Sequence, residues 1–398
     1  MPIPTHCPNP TCTAHTSPPD NWLRPYGFYP TQAHGIVRRY RCRYCGTTCS
    51  TQTESMHYAA NRRLPLRAIV DSLLEGASQR EIARRYRVSP MTIHNAIIRI
   101  GRQAIAAQAV LLAHLRPRPR LVFDGLRSFV TSQDYPCDLT TLVDAEGETI
   151  LAITHGVFRR GGRMTKLQRR RKEAKQQHWQ IPHGTMSRSI SKIWNELWAY
   201  LDTDASPGPA IVDTDQHRGY LRIGQRLTIY RRLHQEDRVE HRRTSSTAAR
   251  TVHNPLFPVN YVDRLIRHRL REHTRETIAF GRHSAMQLYR MWIFAWDLNT
   301  RREWRVKQPE KGGHARQGSL TEEGWRVMNR INREFFRRRV DVHGYIVAGS
   351  LAEAWKAQVV TPPIRWVKGQ NGQDGQEEPA GTTVRVPRYT LRDLARAA

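Results

Sequence analysis

The chain has 398 residues and carries 64 Lys and Arg against 35 Asp and Glu, a formal net charge of +29. This length supports two or three domains and a sizeable core, and the charge excludes the balanced surface of an ordinary enzyme and points to a long polyanion as partner. No membrane partner is expected: the longest apolar candidate, "AIAAQAVLLAHL" at 104 to 115, is short of the roughly 18 residues a span requires and is interrupted by Gln108.

Five of the six cysteines fall within the first 50 residues, and the start, "MPIPTHCPNP", lacks the pattern of a secretory signal. A reducing, cytoplasmic setting is expected, in which clustered thiols suggest metal in preference to disulfides. Cys7 and Cys12 are separated by four residues and Cys42 and Cys45 by two, in "YRCRYCG". Two such knuckles can bring four thiolates to one tetrahedral Zn²⁺, whose binding folds a module too small to build its own core. Residues 1–60 are therefore expected to form a zinc ribbon, with His6 or His15 able to substitute in the looser first knuckle. Cys49 is expected to pack into the last turn, and Cys137 to be a core or surface thiol.

Residues 61–115 predict an all-α helix-turn-helix unit. "LRAIVDSLLE" has helical spacing and stops at Gly76; "SQREIARRYRV" opens on Ser78 with Glu81 three residues later, a capping-box signature. The third helix starts with Ser89 as N-cap and Pro90 in its first turn, turning Ile93, Ile97 and Ile100 inward. Any three-helix bundle has this periodicity; the basic flank of Arg80, Arg84, Arg85 and Arg87 favours DNA. Met91, Thr92, His94, Asn95 and Arg99 face outward for a major groove, with Arg80 and Arg84 gripping phosphate and His94 and Asn95 suited to base edges.

"RPRPR" at 116 to 120 marks a linker. An α/β unit over 116–300 comes next, with β-rich runs "RLVFDGLRSFV", "DLTTLVDAEGETILAITHG", "AIVDTD" and "LTIYRRL" and a hairpin signal at "DAEGE". A basic insert at about 157–205 contains "KLQRRRKEAKQQ", either a solvated helix face or a tracker of the DNA backbone, and then an amphipathic helix at 187 to 201. A long helical stretch runs from 259 into "SAMQLYRMWIFAWDLNT". The extension 301–398 contains the basic helix pattern "LTEEGWRVMNRINREFFRRRV", either a further DNA contact or a packing element, and a flexible tail from about 366. His234 and His241 read as phosphate contacts or ordinary strand-end residues.

Four carboxylates stand out in this basic chain. Asp124 lies inside an apolar run; Asp213 and Asp215 end another and share a face if the strand reaches that far. Asp263 lies in a helical pattern. Carboxylates gathered from two strands and a helix repel one another unless divalent metal neutralises them, and beside DNA such a group suits two-metal phosphodiester chemistry.

In "YRCRYCG", "SQREIARRYRVSPMTIH", "FDG", "TDQHRGY" and "NPLFPVNYVDRLIRHRLREHTRETIAFGRHS" the chain resembles bacterial insertion-sequence transposases, which join a zinc ribbon and a helix-turn-helix to an RNase H-like catalytic domain. The resemblance covers roughly residues 1 to 300. It implies an acidic triad of Asp124, Asp215 (with Tyr220 five residues on) and Asp263, ligating two Mg²⁺ or Mn²⁺ ions, with Asp213 in a supporting role. The family commonly has glutamate at the third position; Glu240, Glu272 and Glu276 are the other acids nearby, and Asn260 and Arg264 flank Asp263. The activity implied is cleavage and strand transfer of double-stranded DNA, with terminal inverted repeats and target DNA as partners and at least a homodimer to pair two ends. A catalytically inactive DNA-binding regulator and a structure-selective nuclease are the other readings.

Overall fold

The computed structural model describes residues 3–116, 119–201, 209–274, 279–308, 312–340 and 347–363. Glu276 and the tail from 366 lie outside the described residues. The ribbon is a one-turn helix, α1 (Thr13–Thr16), and an antiparallel sheet of β1 (Leu23–Thr31), β2 (Gly35–Cys42) and β3 (Thr48–Ser50). Three helices come after it: α2 (Leu66–Leu74), α3 (Gln79–Arg85) and α4 (Pro90–Ala113). Ser78 Oγ accepts from the Glu81 N–H and Ser89 Oγ from the Thr92 N–H, each satisfying a donor in the first turn, and Ile93, Ile97 and Ile100 are fully buried.

The larger sheet has the order β6-β5-β4-β7-β8, from β4 (Arg120–Val130), β5 (Ser132–Asp144), β6 (Ile150–Val157), β7 (Ala210–Asp215) and β8 (Val239–Thr244). β4, β5 and β6 form an antiparallel meander around the "DAEGE" turn, whereas β7 and β8 run parallel to β4. The insert between β6 and β7 holds α5 (Lys166–His178) and α6 (Thr185–Leu201); α7 (Arg218–Gly224) and α8 (Thr228–Gln235) link β7 to β8. Beyond the sheet come α9 (Phe257–Arg269), α10 (Ser284–Trp296), a π-helical turn (Asp297–Arg301), α11 (His314–Gln317), α12 (Glu322–Glu334) and α13 (Gly349–Trp355).

Strand alternation divides the sheet between two cores. Leu121, Phe123, Leu142 and Val212 pack with α6, α7 and α8 around Trp194. Val122, Leu126, Leu139 and Val143 join α4, α9, α10, α12 and α13 around Tyr289, Trp292 and Trp296. The result is helix, sheet, helix, a mixed α/β architecture in which α4 also belongs to the helix-turn-helix.

Four expectations change. "LTIYRRL" is helical, because Leu227, Tyr230 and Leu233 recur at helical spacing and the latter two are buried against Trp194; the fifth strand is "VEHRRT". The helix carrying Asp263 ends at Arg269, with Leu270 extended, so the long stretch from 259 is two helices joined by a 3-10 turn, Arg271–His273. The third of the three helices, α4, runs to Ala113 and absorbs the apolar run around Gln108. By length and composition α4 is sufficient to cross a membrane, contrary to the sequence reading, but 78% of its most apolar 18-residue window is buried inside the protein.

Candidate active site and nucleic-acid interface

The four predicted ribbon cysteines meet. The Sγ atoms of Cys7, Cys12, Cys42 and Cys45 lie within 4.8 Å of one another, with Cys7 and Cys45 at 3.5 Å and Cys12 and Cys42 at 3.7 Å. This is a donor set compatible with tetrahedral zinc. Neither histidine joins it: His15 Nδ1 lies 2.6 Å from the Cys7 carbonyl, and His6 sits beside Glu54. Cys49 is buried in the ribbon core, where burial pushes its thiol up to about 12, and Cys137 is fully buried in the large sheet.

β7 does extend to Asp215, so Asp213 and Asp215 share the face that also presents Asp124, the side covered by α9. Their surroundings differ. Arg120 Nε donates to Asp213 Oδ2 at 2.7 Å and ties the two parallel strands, which fits a supporting role. Asp215 stands at the strand's end, its Oδ1 accepting from the His217 N–H at 2.8 Å.

Asp124 lies two residues past Val122, the last β4 partner of β7, where the cleft between the strands opens. Its Oδ1 accepts from the Gly125 N–H at 2.7 Å and from the Tyr220 hydroxyl at 3.3 Å. Burial first, and then Asp215, push its carboxyl up to about 7. Asp263 comes from α9, which packs on β4 and β5. Burial and the charge of Asp124 drive Asp263 well above the usual carboxylate range against the pull of Arg267, and its Oδ1 is shielded from solvent without a hydrogen-bond partner. Thus Asp124 feels the charge of Asp215, and Asp263 feels that of Asp124. The three do not close as tightly as the cysteines, which are the one group of three or more such ligands within 4.8 Å among the described residues.

The other candidate acids are committed elsewhere. Glu272 sits in the 3-10 turn with Oε2 2.5 Å from Arg290 Nη1, and Glu240 is exposed on β8 and paired with Arg242. A fourth carboxylate, Asp138, escaped the sequence reading. It is 6% exposed on β5, its Oδ2 accepts from Thr140 Oγ1 at 2.8 Å, and its charge raises both Asp124 and Asp263. A methyl group on Gly125 would meet the Asp138 carboxylate, so the glycine after Asp124 is required for this approach. The "FDG" motif was the available signal. His241 is enclosed between Thr214 Oγ1 at 2.9 Å and the Tyr230 hydroxyl at 3.1 Å, with burial lowering it to about 4, and serves the core rather than phosphate.

On the reading helix Met91 and Asn95 are exposed, and so are Arg80 and Arg84 on α3. Thr92 and His94 are half-buried, and burial followed by the charges of His283 and Arg290 lowers His94. Arg99 corrects the sequence reading: its Nη1 donates to the Met56 and Tyr58 carbonyls, both at 2.7 Å, so it ties α4 to the segment after the ribbon instead of facing a groove. Asp134 on β5 holds α5 of the insert through Lys175 Nζ at 2.6 Å and the segment before it through Arg160 Nη1 at 2.9 Å, and Arg169, Arg170 and Arg171 are exposed. The chain matches no protein-family model and no curated protein.

Proposed function

We propose that the protein is a DNA transposase with an RNase H-like core, in which a zinc ribbon and helix-turn-helix bind terminal inverted repeats and an acidic triad cleaves and joins DNA. One observation supports the reading: Asp124 on β4 feels the charge of Asp215 at the end of β7, and Asp263 on α9 feels that of Asp124 and keeps a buried, unpartnered oxygen. Mutually repelling carboxylates with an orphaned oxygen fit divalent cations. Asp124, Asp215 and Asp263 would hold Mg²⁺ or Mn²⁺, and Cys7, Cys12, Cys42 and Cys45 would hold Zn²⁺. Two divalent ions supply activation of the attacking oxygen and stabilisation of the leaving one.

The chain's own groups do the positioning. The Gly125 N–H and the Tyr220 hydroxyl fix one oxygen of Asp124, and the His217 N–H fixes Asp215. Arg250, whose charge reaches Asp263, would hold phosphate in line, while Arg267 donates to the His273 and Arg127 carbonyls. Water adds to phosphorus at the element's end and the P–O3′ bond breaks, releasing a 3′-hydroxyl. That hydroxyl then attacks a target phosphodiester and displaces the target's 3′ oxygen. Pairing two ends calls for at least a homodimer. Asn95, Thr92 and His94 would meet bases, and Arg80 and Arg84 phosphates.

The test is joining of pre-cut DNA ends, taken from the flanks of the protein's own gene, to a plasmid in Mg²⁺ or Mn²⁺. Asp124→Asn, Asp215→Asn and Asp263→Asn should each abolish joining and keep DNA binding; full joining by any one removes that residue from the site. The looser spacing of the three aspartates favours a second reading, a DNA-binding regulator without catalysis. End-specific binding with no cleavage by the unaltered protein would establish that reading, and cleavage without joining would point to a nuclease.

A further inference from the structure

We infer that α12, together with the first turn of α2, forms a second contact with the phosphate backbone of duplex DNA, beside the helix-turn-helix. The inference rests on the reading of the protein as DNA-binding, and it assigns part of the C-terminal extension to the DNA interface.

The helix is split sharply into two faces. Gly324, Met328 and the following Phe335 are buried, and Val327 and Ile331 pack on the same core, which α4 shares. Arg326, Arg330 and Arg333 recur at spacings of four and three, fall on one line along the opposite face, and are all exposed. None of the three makes an ion pair or hydrogen bond among the described residues. Of the three acids on the helix, Glu322 and Glu323 stand in the first turn, where they suit the helix dipole, and Glu334 ends the helix 4.0 Å from Arg337. A row of unpaired guanidiniums over a packed face is costly self-repulsion unless an anion lies along it.

The row leads into a groove. Arg67, Arg301, Asn329, Asn332 and Arg333 line an open depression of about 540 Å³ between α2 and α12. Its guanidiniums are held in place: Arg67 lies 5.1 Å over the Phe336 ring and Arg301 4.9 Å over Trp296. Asn332 is fixed by Trp296 Nε1 at 3.0 Å, and Arg301 is balanced by Asp297 at 3.2 Å, whereas Arg67 and Arg333 contribute unbalanced charge. Planar guanidiniums and carboxamides are donors suited to phosphate oxygens.

The position selects the occupant. Arg67 opens the first helix of the three-helix reader, and α12 runs antiparallel to α4: Thr321 bonds back to His114, and Gln103 on α4 donates to the Phe335 and Arg338 carbonyls. The Arg333 end of the row lies nearer the candidate base-contacting residues at the start of α4, so a duplex seated on them and extended along α4 would meet the row. A lipid surface would require large apolar side chains around the basic row, and the exposed large hydrophobics all lie elsewhere.

Duplex binding by the full chain, measured by fluorescence anisotropy on DNA of mixed sequence, tests this across salt. Each phosphate contact adds about 0.9 to the slope of log K against log salt, so replacing three arginines should flatten that slope by about 2.7. Between about 50 and about 200 mM salt, the R326A/R330A/R333A protein should then lose roughly 40-fold less affinity than the unaltered protein. The all-lysine counterpart, R326K/R330K/R333K, should keep the original slope. An unchanged slope in the alanine protein overturns the inference and leaves the transposase reading standing, whereas an unaltered protein with no affinity for duplex DNA overturns both. Loss of binding to phosphatidylserine vesicles, with DNA binding unaffected, would assign the row to membranes and also overturn it.

Discussion

At the residue scale the site is governed by Asp124. Its carboxyl titrates near 7 in the fold against 3.8 ordinarily, so between those values the folded protein holds a proton that the unfolded chain has lost. Stability without divalent metal therefore falls as pH rises from about 4 to about 7, and the deficit is complete above the folded value. Asp124→Asn removes the titration. In thermal unfolding without divalent metal, the variant should gain on the unaltered protein steadily through that window, and parallel curves would disprove the burial argument; taking the difference between the two proteins cancels the acid sensitivity of the ribbon thiols. Asp124, Asp215 and Asp263 stood out as candidates through their apolar and helical surroundings and the motifs that resemble transposases. Asp138 did not, because its approach to Gly125 depends on the register of β5 against β4, which one sequence does not show. Arg99 misled for a related reason: it lies on a partly outward face of α4, but another segment covers that face.

At the scale of elements, the start of α3 and α4 and the end of α2 were legible because those boundaries are written in local chemistry, in Ser78, Ser89, Pro90 and Gly76. One turn departs from that economy. α3 closes with Arg87 at φ 51°, in the left-handed region, while the Val88 N–H returns to the Ala83 carbonyl. Glycine is the usual residue at this position, and a side chain there costs about 1–2 kcal/mol. Arg87→Gly should therefore stabilise the protein by about 1 kcal/mol, read as a higher urea midpoint at unchanged slope; a lower midpoint would mean that the Arg87 side chain contributes more than its backbone costs. The misread elements, α8 and the end of α9, fail where local signals are ambiguous. "LTIYRRL" has β-branched and aromatic residues, yet burial of Tyr230 and Leu233 against Trp194 selects the helix.

At the scale of the whole molecule, α4 decides how many independent parts there are. The sequence suggests a boundary near 115, but the C-terminal half of this helix is core for the sheet and the helices packed on it. Ile105, Val110 and Leu111 are fully buried in the cluster that includes Leu139, Trp292 and Phe335. Three polar residues on the same helix are also used up there. Arg102 Nε donates to the Trp355 carbonyl at 3.2 Å, Gln103 joins Phe335, Arg338 and Val340, and Gln108 Nε2 donates to the Ile150 carbonyl at 3.0 Å while its Oε1 accepts from Asn299. Gln108, which interrupts the apolar run, is the link between reader and sheet. Cutting at the boundary would expose these apolar side chains, each worth about 1.5–3 kcal/mol when buried, and strand their polar partners. A fragment of residues 61–115 should therefore lack the fixed tertiary structure of an independent domain, seen as poor amide dispersion by NMR. In the full chain, unfolding of the reader and of the sheet should coincide when monitored by calorimetry and by hydrogen exchange in α3 and β5. A fragment that folds cooperatively alone would show that the shared core is dispensable to the reader.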